Sequence, residues 1–385
     1  MWLYLLWFFI PVLVYCFSAR LSRSTNFLAL YLTALALFVG LADMLGGYDR
    51  YIYGGLFDSL ADDMAAGISP WNSSLFAYYP RELGYDFLNV LVASLTSNRY
   101  IAIFVFTVIA YIFLYISFKN LFKNYAFALI IFMGLWFFFT FTYLRQILAV
   151  CIGSLSIKYA VEKNPKKFLF LCFCAFCFHN SSIILLPLYF MSDRKLARSK
   201  VVILWLICLL IGLTGLPSSS FQTFGYLMGD ANRAASTYGV DEGSFRIAYF
   251  MEALFFGYFI FRFYDRFSAR DPYHLVMMNM SIAYCAILLL FIRSDNGGRI
   301  AWFYIFGLIS YLTYLVERKL ISPQNSVILI LLFLFLYIRV FRGWQVFNEL
   351  YPYKTFLTNG YRHPDFFRDN NEYDFNYDKD KFYRK

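Results

Sequence analysis

Charge is scarce in this chain. Charged residues occupy 15% of 385 positions and hydrophobic residues 61%, against roughly 25% and about 45–50% in soluble domains. With a mean hydropathy of +0.56, the composition excludes a soluble globular enzyme and points to a polytopic membrane protein. The signatures of nucleotide and common hydrolase chemistry are also missing. There is no GxxxxGK[ST] phosphate loop, no GxGxxG after a strand, no HExxH and no GxSxG elbow, which removes ATP-driven transport and the usual hydrolase mechanisms. The seven cysteines all sit in apolar runs and read as small hydrophobes. The Cys172-Phe173-Cys174-Ala175-Phe176-Cys177 cluster lacks a companion ligand pair, so neither a metal nor a cofactor is expected. Residues 1–17 have no basic n-region and no small-residue cleavage site, and read as a first span.

What charge there is sits in short connections. Six of them are basic: 20–23, 119–123, 163–167, 194–200, 262–270 and 318–319. The positive-inside rule puts all six in the cytoplasm, and a net charge of +10 spread this way marks topology, not a nucleic-acid face. Ten crossings follow, at 1–17, 27–42, 100–117, 125–142, 147–161, 201–215, 247–263, 273–292, 300–316 and 327–341. Residues 85–97 are too short to span and read as a re-entrant or interfacial helix. The stretch 168–191, basic at both ends, reads as two short arms meeting at 178–182, with a single span as the alternative. Irregular backbone at that depth needs protein or a water-filled cavity to satisfy it. The expected fold is an all-α polytopic integral membrane protein, GT-C-like, with about ten to twelve transmembrane helices and long outer loops at 43–99, 217–246 and 293–299. Residues 1–345 form one transmembrane domain, and 346–385 an extracytoplasmic, partly disordered tail.

This topology gathers Asp43, Asp49, Arg50, the loop 53–86, Arg145, His179 and Arg299 on the outer side. Arg145 and Lys158 are the only charged residues between Tyr125 and Val161. Tyr143-Leu144-Arg145-Gln146 is either a tight turn whose arginine snorkels to headgroups or the site of a buried charge, and a charge at membrane depth is by default functional. An enzyme working outside the cell has no nucleotide sugar, so its donor would be lipid-linked. Arginine binds phosphate oxygens in pairs, which makes Arg145 and Arg299, each at the outer start of a span, a candidate diphosphate clamp. Glycosyl transfer also needs a base for the acceptor hydroxyl. Asp49, Glu82, Asp86, His179, Glu242 and Asp295 are the candidates on that side, while His274 faces the cytoplasm and His363 lies in the tail. The unperturbed imidazole suits proton handling near neutrality, which favours His179, although a lone histidine in an apolar stretch is more often structural. Tyr48, Tyr51, Tyr53, Tyr78, Tyr79 and Tyr85 could contact glycan. The other aromatics read as interface belts and apolar filling. Asp62-Asp63, in a loop over 59–71, could bind a divalent cation, a solvated acidic loop being the commoner outcome.

Several of these segments share one pattern. Gly46-Gly47-Tyr48-Asp49-Arg50-Tyr51-Ile52-Tyr53 and Arg81-Glu82-Leu83-Gly84-Tyr85-Asp86-Phe87-Leu88-Asn89 resemble paired motifs of the EpsG family of exopolysaccharide proteins. Leu144-Arg145-Gln146-Ile147-Leu148-Ala149, Phe178-His179-Asn180-Ser181-Ser182, Arg299 ahead of Tyr304, and Tyr351-Pro352-Tyr353-Lys354 resemble its later landmarks in order. Leu83 stands where that family commonly has proline. The resemblance implies a protein similar to Wzy-type O-antigen and capsule polymerases, in the bacterial inner membrane with its active site facing outward. It would join undecaprenyl-diphosphate-linked oligosaccharide repeats, alongside membrane lipids and the flippase and chain-length regulator of the same pathway. Asp49, Glu82 and His179 are then candidate catalytic groups. Arg145, Arg299, Tyr53, Tyr85, Asn89 and Asp295 are candidate substrate contacts. The rival readings are a glycosyltransferase using a polyprenyl-phosphate sugar, which would lose a branch sugar when inactivated, and a non-enzymatic flippase or exporter. Exporters usually carry an internal repeat, and none is evident here.

Overall fold

The structure is a computed structural model that describes residues 2–43, 48–191, 194–217, 219–220, 245–266, 271–294, 297–345, 350, 353–358 and 375–385. The apolar runs fold as helices, as a chain in lipid must if its backbone polar groups are to be satisfied internally. In chain order the main ones are α1 (Trp2–Phe17), α2 (Thr25–Gly40), α3 (Tyr48–Ala65), α4 (Leu83–Ala93), α5 (Arg99–Leu121), α6 (Tyr125–Leu135) and α7 (Leu144–Ser154). They continue with α8 (Pro165–Phe176), α9 (Arg198–Leu213), α10 (Ile247–Arg262), α11 (Pro272–Leu290), α12 (Ile305–Glu317) and α13 (Pro323–Gln345). Among the described residues there is no strand, only an isolated bridge between Ala42 and Thr355. Among the described residues, five stretches are long and apolar enough to cross a membrane: Arg99–Leu121, Leu144–Val161, Pro272–Leu290, Gly297–Glu317 and Pro323–Trp344. The other five expected crossings are shorter helices of 11 to 16 residues.

Three expectations change. The segment 125–142 is not one α-helix: α6 stops at Leu135 and a 3-10 helix follows at Phe137–Phe141. The supposed outer loop 53–86 is mostly helical, holding the rest of α3 and a short helix at Ser74–Tyr78 before α4. Asp62 and Asp63 therefore stand on a helix, and Asp62 pairs with Arg384 instead of lying in a solvated loop. The stretch 168–191 is broken into α8 and a 3-10 helix at Asn180–Phe190.

The chain divides into two compact units. The first comprises Met1–Ile152, Cys174–Asn180 and Val316–Lys385. Its centre is α6, buried at every position from Tyr125 to Gly134. Gly134 lets α13 approach closely, since a Cβ there would lie 2.8 Å from the Phe333 carbonyl oxygen. Around it, Tyr337 donates to the Tyr4 carbonyl at 2.7 Å, and Tyr4 donates to that of Leu350 at 2.7 Å. The segment after α13 returns to the end of α2. Tyr353 stacks on Phe38 with ring centres 4.4 Å apart, and the Asp43 N–H donates to the Lys354 carbonyl at 3.0 Å. Arg50 is buried and caps α2, donating to the carbonyls of Val39 and Ala42 at 3.1 and 2.9 Å.

The tail expected to be weakly ordered is docked on this unit over 375–385. The Asp58 carboxylate accepts from Arg99 Nε at 2.8 Å and from the Tyr377 hydroxyl at 3.2 Å, and pairs with Arg384 at 3.3 Å. Asn98 donates to the carbonyls of Lys381 and Arg384.

The second unit comprises Gly153–Phe173 and Ser181–Leu315. Here α11 is the buried centre, packed by α9 and α10. Gly212 is required at the first contact, because a Cβ there would fall 2.2 Å from the Leu289 carbonyl oxygen.

Candidate functional site

The site grows from the first turn of α4. Glu82, Tyr85, Asp86 and Asn89 recur at helical spacing, so they share one face, and all four are buried. Leu83, Phe87 and Leu91 lie on the opposite face and are exposed. The helix is thus turned inside out relative to a soluble one, polar stripe inward and apolar stripe outward, as a lipid-facing element requires. At 11 residues it is too short to cross a bilayer.

Glu82 is the N-cap residue of α4, yet its side chain caps nothing on its own helix. Oε2 accepts from Arg145 Nη1, and Oε1 accepts from the Asn180 backbone N–H at 3.3 Å. The open amides of α4 are satisfied instead by the break after α8: the N–H groups of Gly84 and Tyr85 donate to the Cys177 carbonyl at 2.8 and 3.2 Å. The irregular backbone at 177–180 and the first turn of α4 therefore complete each other. Gly84 permits the approach, since a Cβ would lie 3.0 Å from Cys177 Cβ. Leu83 occupies the first helical position, where proline is favoured but not needed, so its departure from the family pattern leaves the turn intact.

Arg145 lies in the first turn of α7 and is 2% exposed. It is a buried charge, not a snorkelling anchor, and its partner in the structure is Glu82. The guanidinium carbon sits 3.7 Å from the ring centre of Tyr79 and 5.5 Å from those of Tyr53 and Tyr85. A carboxylate and three aromatic faces thus replace the water that a buried guanidinium gives up. Its Nε meets no acceptor among the described residues.

Asp49 joins through Tyr53, whose hydroxyl donates to Asp49 Oδ2 at 3.3 Å. The Asp49 N–H donates to Thr142 Oγ1 at 3.2 Å, two residues ahead of α7. Burial, reinforced by Asp49, pushes the Tyr53 phenol well up. His179 is buried beside the cluster, its N–H donating to the Ala175 carbonyl at 3.0 Å. Asn89 uses its amide within α4, donating to the Tyr85 carbonyl at 2.9 Å.

The sequence-derived set is therefore brought together in part. Asp49, Tyr53, Glu82, Tyr85 and Arg145 form one connected cluster, flanked by His179. Arg299 belongs to the second unit, half-buried in the short helix Gly297–Ala301, where it and Arg246 act electrostatically on Tyr249. Asp295, Glu242, His363, Tyr351 and Pro352 lie outside the described residues. Two polar groups were missed. Asp58, with Arg99, left no trace of its pairing in the sequence. Glu252, which accepts from the Tyr284 hydroxyl at 2.6 Å, was visible as an acid in an apolar run.

Spanning-length helices, an inside-out polar helix and a buried arginine–glutamate pair define a polytopic membrane protein built around a buried charged site. The chain belongs to the EpsG family, whose sequence model matches residues 27–355 and so most of its length. That family is associated with exopolysaccharide and Wzy-type polymerases. No curated protein and no solved structure matches the chain.

Proposed function

We propose that the protein polymerises polysaccharide, joining undecaprenyl-diphosphate-linked oligosaccharide repeats on the outer face of the bacterial inner membrane, in a bundle of GT-C character. The observation that carries this reading is Arg145, a buried guanidinium aimed by Glu82 and three tyrosines, with Nε still open. A fixed arginine fork suits the charge that develops on a departing diphosphate, and preorganised charge of this kind costs no reorganisation during the reaction. The acceptor hydroxyl attacks the anomeric carbon of the donor chain, the bond to the diphosphate breaks, and the lipid carrier leaves with the electron pair. In this reading Glu82 orients the arginine, while Asp49 acts on the site through Tyr53. Replacing Arg145 with alanine should leave single-repeat glycolipid accumulating in cells without long polymer, at normal protein level. Normal polymer length in that strain would overturn the role.

A further inference from the structure

Asp86 is fully buried, and neither of its carboxylate oxygens meets a hydrogen-bond partner among the described residues. The other acids of this region are all engaged: Glu82 by Arg145 and the Asn180 N–H, Asp49 by Tyr53, and Asp58 by Arg99, Tyr377 and Arg384. Burying a carboxyl with no partner is costly, so one that persists needs another explanation. Asp86 stands one turn beyond Glu82 on the buried face of α4, next to Tyr85, whose ring lies against the Arg145 guanidinium. Among the described residues no hydrogen bond engages it.

We propose that Asp86 is the acid–base residue of the transfer, taking the proton of the acceptor hydroxyl. This rests on the polymerase reading above. As the acceptor oxygen bonds to the anomeric carbon and the diphosphate leaves with the electrons of the broken bond, the hydroxyl proton passes to the Asp86 carboxylate. Solvent then removes it before the next cycle. Because the carboxyl is covered, acceptor binding has to open this face of α4. The titratable and charged groups on α4 and the elements around it include Glu82 and Tyr85 on α4 itself, Asp49, Arg50, Tyr51, Tyr53, Asp58, Asp62 and Asp63 on α3, Tyr79 before α4, Arg99, Tyr100 and Tyr111 on α5, Arg145 and Cys151 on α7, and Cys177 and His179 in the break. Burial alone raises the Asp86 carboxyl, to about 8, which places it near the working pH that suits a general base.

The test is repeat-unit elongation by purified protein with lipid-linked repeats, between about pH 5 and 9, for wild type, Asp86→Asn and Asp86→Glu. Wild-type kcat/KM should rise with pH through a midpoint near that of the Asp86 carboxyl. Asp86→Asn should elongate about 100-fold more slowly or worse, with lipid-linked repeat binding preserved, and Asp86→Glu should keep partial activity with a displaced acidic limb. Thermal melting provides the folding control. A carboxyl whose folded pKa is raised contributes stability that is complete below the ordinary carboxylate range and is lost as pH rises toward about 8. Asp86→Asn should therefore melt higher than wild type at pH 8 and show a flatter pH slope. Wild-type rate and pH profile in Asp86→Asn would overturn the assignment and leave the polymerase reading standing, as would loss of repeat binding together with rate. If Asp86→Asn does not fold, an unshifted profile in Asp86→Glu overturns it. A wild-type protein that elongates nothing would instead sink the polymerase reading itself.

Discussion

Arg145 and Glu82 are worth less as a pair than either costs alone. Both side chains are nearly inaccessible, so removing one partner strands a charge without solvent, at about 3–5 kcal/mol. Glu82→Gln should lower detergent-solubilised stability by that amount, and the double variant Arg145→Met with Glu82→Gln should recover most of it, because neither residue is then left uncompensated. Additive losses in thermal or denaturant melts would argue against the pairing. The sequence exposed Arg145 through its isolation between apolar runs and marked Glu82 as an acid near it in topology. It could not reveal that the two meet, since their separation of 63 positions carries no periodicity. Tyr79, the ring closest to the guanidinium, was one of six tyrosines proposed for glycan contact, and only packing separates it from the others.

At the scale of elements, the site depends on the junction between α4 and the break after α8. Gly84→Ala would push a methyl group against Cys177, and overpacking of this kind costs about 1–3 kcal/mol. Because the Cys177 carbonyl and the Asn180 N–H both bond across that junction, the variant should also loosen Glu82. We expect a lower melting temperature together with faster amide exchange at residues 84, 85 and 180; exchange confined to the surroundings of residue 84 would contradict the coupling. Most helices were legible because an apolar run in lipid has few alternatives to helix. The break within 125–142 was not, since the Phe137–Phe141 turn is as apolar as α6, and its local bond, from Thr140 Oγ1 to the Phe137 carbonyl at 2.7 Å, is invisible in composition. The helix α3 was legible in principle. Its buried residues Arg50, Tyr53, Phe57, Leu60 and Ala61 follow helical spacing, but tyrosines, glycines and acids between them made the stretch look like loop.

For the whole molecule, composition alone gave the membrane class, and the ordered motifs gave the family that the sequence model then matched over residues 27–355. The docked tail was hidden because Asp58 draws Tyr377 and Arg384 from more than 300 positions away. The role proposed for the buried Arg145, elongation of a lipid-linked glycan, joins these levels. Its most direct test supplies purified protein in detergent or vesicles with lipid-linked single repeats and resolves the products by length. The account predicts a ladder of growing chains from wild type and none from Arg145→Met at equal folded protein. Transport of the single repeat across vesicles without elongation, or an undiminished ladder from the variant, would contradict it.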